Sequence, residues 1–282
     1  MKRGLLMAMR NNVNDSANGL LTVTFDTNVI ETILNEDKAQ QTGVPEMLIF
    51  KALQEGCLQG FVARTYFVHD AIKKGDRIST LCDGIEFRIP ANPIFYKRGI
   101  GLKVVQTSII DADSFHVNSI ELMYKLKIEV LDFRRKFWPD LIVDLPIKHP
   151  PENYYDRVKE IQNVIENELH CGFYRLREFM RNTVGNAADD LALLWQLKDV
   201  KYHKKALDIA FAEAGDGDAL ITHYGYGINL FCTNDRANKA GAQSVFSQSN
   251  RNVLYEKFNL EIVSPSQLAE IIKKYNGGTD RA

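Results

Sequence analysis

The stretch Leu21 to Glu31, LTVTFDTNVIE, changes its periodicity halfway along. Leu21, Val23 and Phe25 alternate with Thr22 and Thr24, the period of a half-buried strand. After Asp26-Thr27-Asn28 the apolar residues fall at Val29, Ile30, Ile33 and Leu34, the spacing of a helix. The same alternation returns near the other end, where the strands INLFCT and LEIVSP precede the closing helix SQLAEIIKKY. Strand and helix alternating at both ends predict an α/β fold, with a central, mainly parallel sheet between two helical layers.

The elements between are read from spacing and turn residues. NEDKAQQTG is a polar break, Val44 to Gly56 a helix and Gly60 to Ala63 a short strand. Thr65 caps a helix whose apolar stripe is Val68, Ala71 and Ile72, with Asp70 beside it. Residues 76–200 differ in character: GIEFRI and LKVVQTSII read as strands, and Ser114 to Phe137 and Glu152 to Arg181 as long helices separated by the Pro-rich WPDLIVDLPIKHPPE. From Lys204 a helix ends near EAGDGD, a second runs from Ala219 to Tyr224, and another starts at NDRANKAG. The resulting division is a polar tail over 1–18, an α/β domain from 19–75 and 201–282, and a mostly helical insertion over 76–200.

Charge narrows the partners. Lys+Arg (35) and Asp+Glu (36) nearly cancel, so any surface that attracts nucleic acid is a local patch. Cys57, Cys82, Cys171 and Cys232 are scattered, without a C-x-x-C or a neighbouring His pair, which argues against zinc and for a reducing compartment. The apolar run in MKRGLLMAM is too short for a signal-peptide core, and no run elsewhere spans a bilayer, so the expectation is a soluble, cytoplasmic protein without a membrane partner.

Chemistry in open parallel sheets gathers at the carboxyl ends of the strands. Asp26, Asp70, Asp218 and Asp235 fall at or near such ends. Two like charges about 4 Å apart repel by roughly 4 kcal/mol at an effective dielectric near 20. A cluster of these acids therefore needs protons or a cation. Oxygen ligands without Cys or His favour Mg2+ or Mn2+, and metal-assisted hydrolysis of a phosphodiester follows. Each acid also has a structural reading: Asp26 as a helix cap, Asp218 as an acid favoured at a helix N-terminus, and Thr233-Asn234-Asp235 as a capped turn. Asp216 stands as the alternative ligand to Asp218, and Glu46 as the alternative to Asp70.

FDTNVI, DALI and FCTND resemble the signature segments of PIN-domain ribonucleases, a family that includes VapC-type toxins and RNA-processing nucleases. The resemblance covers residues 19–75 and 204–275, and LEIVSPSQLAEII is similar to the strand and helix that often close that domain. It implies a three-layer PIN-like fold, a divalent-metal site of three or four acids, and RNA cleavage by an activated water. Asp26 matches the first acid, Asn28 its supporting amide, Asp218 the third acid, and Thr233 and Asp235 the final segment. Asp70 fits the second acid, where the family usually has Glu. The implied roles follow. Asp26 anchors the metal, Asp218 and Asp235, or Asp216, complete its shell, Asp70 orients water or acts as base, and Asn28 and Thr233 aim the carboxylates. The long 76–200 segment departs from small family members.

Basic residues among aromatics in that segment, Arg134 and Arg135 in DFRRKFW and Arg175 and Arg177 in FYRLREFMR, are the candidate RNA contacts. The alternative is a solvated helix face over a core. A protein inhibitor bound by the insertion and a second copy of the chain are further candidate partners, in a toxin, defence or RNA-processing role. Two rival readings stand beside the nuclease. EAGDGDAL is similar to the acidic loop of haloacid-dehalogenase-like phosphatases, but their second acid is here Asn28 and their Ser/Thr strand would precede that loop. The other rival is an inactive PIN-like module that binds RNA or protein. GYGINL lacks the third glycine of a dinucleotide fingerprint and precedes a strand.

Overall fold

A computed structural model of the chain describes residues 20–70, 78, 87–89, 114–133, 135, 141–143, 145–198, 200–237 and 241–276. Strand β1 (Leu21–Phe25) forms where the alternation predicts it and lies in the middle of a five-stranded, all-parallel sheet. Its neighbours are β2 (Leu58–Ala63) and β6 (Leu230–Cys232), flanked in turn by β4 (Glu129–Leu131) and β7 (Glu261–Val263), in the order β4-β2-β1-β6-β7. The strand is covered on both faces, not one. Its threonines are satisfied inside: Thr22 Oγ1 donates to Asn229 Oδ1 at 2.7 Å, and Thr24 Oγ1 meets His223 Nδ1 at 2.9 Å.

One face of the sheet is covered by α1 (Thr27–Ile33), α3 (Val44–Gln54), α5 (Ser114–Lys125) and α11 (Pro265–Asn276), which close a core around Val23, Ile30, Ile49, Ile120 and Leu268. Helix α2 (Glu36–Thr42) occupies the sequence read as a polar break. Its Asn35 cap accepts from Asp37 N at 2.8 Å, so the polar run supplied a helix start and not a loop. The other face packs against α6 (Tyr154–Asn163), α9 (Lys204–Tyr226) and α10 (Gln248–Phe258) around Ile161, Leu220, Phe231 and Leu254. Helices α7 (Phe173–Val184) and α8 (Asp190–Leu197) build a further cluster with α9 through Phe173, Leu176, Leu194 and Phe211. Sheet and two helical layers make the three-layer α/β architecture.

Several boundaries differ from the sequence reading. The helix expected over Ser114 to Phe137 stops at Lys125. The chain turns through Lys127 at φ 55°, and the alternating KIEVL becomes β4, the outermost strand of the main sheet beside β2, bridged on its other side to Ile147. Part of the expected insertion therefore belongs to the sheet itself. Glu152 to Arg181 is not one helix. After α6 comes a π-helical turn, Val164–Glu168, and then a break at Gly172 before α7. Phe87–Ile89 (β3) pairs in parallel with Leu141–Val143 (β5), while the expected strand LKVVQTSII lies outside the described residues.

GDGD does not end a helix, because α9 runs unbroken for 23 residues. Its glycines serve packing. A Cβ at Gly217 would come within 2.6 Å of the Gly172 backbone, and one at Gly225 within 2.6 Å of Val158. The helix expected at NDRANKAG starts later, at Gln248, where Ser247 caps it. Among the described residues no helix is long and apolar enough to cross a membrane.

Candidate functional site

Ligands in open parallel sheets bind outside the carboxyl ends of the strands, where the chain path leaves β1 in opposite directions. Here that crevice lies between β1 and β6. Asp26 ends β1 and caps α1, and its backbone N–H donates to Cys232 O at 2.9 Å, which fastens the two strand ends together. One carboxylate oxygen accepts from Thr27 N at 2.7 Å. The other accepts from Asn28 Nδ2 at 2.7 Å and from Thr233 Oγ1 at 2.5 Å.

The partner strand completes the arrangement. Thr233 is buried, and its N–H donates to Val263 O at 3.0 Å, so β7 sets its height. Its hydroxyl, while donating to Asp26, accepts from Asp235 N at 2.9 Å. Asp235 Oδ1 in turn accepts from Ala237 N at 2.6 Å. Asn28 Oδ1 accepts from Asn234 N at 2.9 Å, closing a second link across the crevice. Asp26, Asn28, Thr233 and Asp235, more than two hundred residues apart in pairs, thus form one hydrogen-bonded rim. The local caps that each residue offers on its own are real, and they are joined across two strands.

Asp218 lies elsewhere. It is fully buried in the middle of α9, and Arg135 Nε meets both of its carboxylate oxygens at 2.8 Å. Arg135 also bonds Glu166 at 2.6 Å, and Glu166 faces Arg177 at 3.6 Å. Arg177 Nε holds Asp190 at 2.7 Å. Both guanidiniums lie over the Phe173 ring, Arg135 at 4.4 Å and Arg177 at 5.0 Å from its centre. Burial by itself lowers the Arg135 pKa, but the carboxylates of Asp218 and Glu166 outweigh it and raise the pKa above its ordinary value. The Asp190 hydrogen bond likewise raises Arg177.

The expected RNA contacts at Arg135 and Arg177 are therefore engaged in ion pairs that link the π-helical turn, α7, α8 and α9, with the Arg135 side chain nearly buried and Arg177 half-buried. Arg175 bonds Glu178 at 2.6 Å and Gln243 at 2.5 Å, and Arg134 lies outside the described residues. The signal that was missing is the pairing itself. Arg135 and Asp218 are 83 positions apart, and nothing local marks them as partners.

The other acid of the GDGD segment has a different outlook. Asp216 precedes His223 by seven residues, two turns or about 10.5 Å, and shares its stripe. His223 touches Thr24 of β1 and stands edge-on to Phe231 of β6, so this stripe packs toward those two strands. Asp216 is half-buried. Glu46 is buried at the start of α3. Burial raises the Cys232 thiol pKa, and the charges of Asp26 and Glu46 add to it, so both acids lie near the end of β6. Asp70 ends α4 (Thr65–Asp70), and its side chain lies outside the described residues. Burial pushes His223 down to about 3, so it is a neutral core residue. Arg236, exposed beside Asp235, is a cation at the rim that the motif reading passed over.

Among the described residues no three acids, histidines or cysteines form a group that could hold an ion alone. The Asp26 and Asp235 carboxylates at the rim offer ligands of the type that a hard dication takes. All are oxygens, and Mg2+ is characteristically held by one or two carboxylates with water and substrate phosphate supplying the rest. No family model, curated protein or solved structure matches the chain.

Proposed function

We propose that the chain is a divalent-metal-dependent ribonuclease whose site is the β1–β6 crevice. The observation that carries the reading is the shared Thr233 hydroxyl, which binds the Asp26 carboxylate and the Asp235 backbone at the switch point of a parallel sheet. Asp26 and Asp235 would hold Mg2+ or Mn2+, with Asp216, which shares a stripe of α9 with His223, as the third ligand. A bound dication supplies charge stabilisation at a phosphoryl oxygen and an acidified water. The residues of the chain do the positioning. Asn28 and Thr233 fix the Asp26 carboxylate in one orientation, and Arg236 offers a guanidinium to a substrate phosphate. RNA is selected over other phosphodiesters by the resemblance of FDTNVI, DALI and FCTND to PIN-domain ribonucleases.

A second reading, an inactive module of the same architecture that binds RNA or protein, is favoured by one observation: Asp218 is neutralised by Arg135. Incubating the chain with a single-stranded RNA and Mn2+ separates the two. Metal-dependent cleavage that disappears in Asp26→Asn supports the nuclease. RNA binding without cleavage in the wild type supports the module.

A further inference from the structure

Among the described residues strand β7 is an edge of the sheet, paired with β6 alone. Its open side floors a cleft of about 550 Å³ walled by α10, through Arg251 and Tyr255, and by α11, through Gln267 and Ile271. Val263 turns its carbonyl to β6, where it accepts from Thr233 N, and Glu261 pairs on the same side. Alternation along the strand then directs the N–H and C=O of Ile262 into the cleft. Glu261 lines the same cleft, is 6% exposed, and its Oε1 has no hydrogen-bond partner among the described residues. Burial raises its carboxyl pKa. The cleft cations do not relieve it. Arg251 bonds the carbonyls of Phe246 and Asp235, and neither Arg251 nor Lys274 pairs with Glu261.

An open strand edge between two helices is the geometry in which an extended peptide adds as a further strand, with main-chain hydrogen bonds giving affinity and side chains giving selectivity. An inward acid on such an edge discourages indiscriminate pairing. An apolar strand would seal the orphaned Glu261 oxygen away from any donor, whereas a strand bearing arginine or lysine supplies one. We propose that the β7 edge accepts an extended segment of a partner protein as a sixth strand, with a basic side chain of that segment donating to Glu261.

The test titrates the labelled full chain, followed by NMR, with a capped heptapeptide of alternating valine and threonine around a central arginine. The control carries norleucine in place of the arginine. The expected result is a shifted, exchange-protected Ile262 amide and binding of the arginine peptide about tenfold tighter than the control. Glu261→Gln removes that preference, and N-methylation of the peptide backbone removes binding. Equal binding of both peptides overturns the proposal, as does an Ile262 amide that neither peptide moves. So does an Ile262 amide already protected without peptide in a chain that sediments as a dimer, since the edge would then pair with a second copy.

Discussion

Replacing Asp218 by asparagine separates the two acids of the GDGD segment. Asp218 is 0% exposed and its Arg135 partner 9% exposed, so the pair is shielded from water and from salt. Breaking a buried pair by removing one partner costs about 3–5 kcal/mol, because the remaining charge stays buried. Arg135 keeps Glu166 at 2.6 Å, which places the loss at the low end, about 3 kcal/mol. A domain of this size shifts its Tm by about 2–4 °C per kcal/mol, so Asp218→Asn should melt about 6–12 °C below wild type.

The assay is calorimetry together with a Mn2+ titration well below the lower midpoint. Since Asp218 faces Arg135 and not the crevice, Mn2+ affinity should be unchanged. Asp216→Asn should do the reverse, costing less stability than Asp218→Asn while weakening Mn2+ by about tenfold or more. An Asp218→Asn protein that melts with the wild type but no longer binds Mn2+ would refute the reasoning. The ion pair would then be incidental, and Asp218 would belong to the metal.

Three further outcomes follow from the geometry. Thr233→Val removes the hydroxyl between Asp26 and Asp235 at constant volume, and should lower metal affinity or cleavage by about 10–100-fold with RNA binding retained, read by paired binding and cleavage assays. Gly217→Ala would drive a methyl to 2.6 Å from the Gly172 backbone and should destabilise by about 1–3 kcal/mol, measured by denaturant melts. His223 stays neutral in the fold down to about pH 3, while the unfolded chain takes up its proton near pH 6.5. Its contribution is therefore complete above pH 6.5 and is lost as pH falls through that window, by about 1.4 kcal/mol per unit. Melts of wild type and His223→Gln between pH 7 and 5 should differ in slope by that amount, and parallel slopes would remove His223 as the cause.

The sheet was legible in the sequence because β1 and β7 each run into a helix with a clean change of period and β6 ends at a polar turn, and Asp26 and Thr233 sit at those strand ends. Their mutual bonds were accessible only as a topological inference, since the register of β1 on β6 decides whether Asp26 meets Thr233. β4 was hidden because Lys125-Leu126-Lys127-Ile128-Glu129-Val130 fits a helix and a strand equally well over so short a span. The continuity of α9 was hidden for the opposite reason. Local glycine cost predicts a break, and close packing on Gly172 and Val158, which no local pattern displays, overrides it. The arginines of the middle segment combine with aromatics in a pattern that suits an RNA surface and a buried ion-pair stack alike. Only burial distinguishes them, and Arg135 beside Phe173 is inside.

The most direct test is anomalous diffraction from crystals of the chain soaked in Mn2+. A peak within coordination distance of the Asp26 and Asp235 carboxylates, absent in Asp26→Asn, is the predicted result. A peak at Asp218 with Arg135 displaced, or none at the β1–β6 crevice, would contradict a metal site built on the Thr233 bridge.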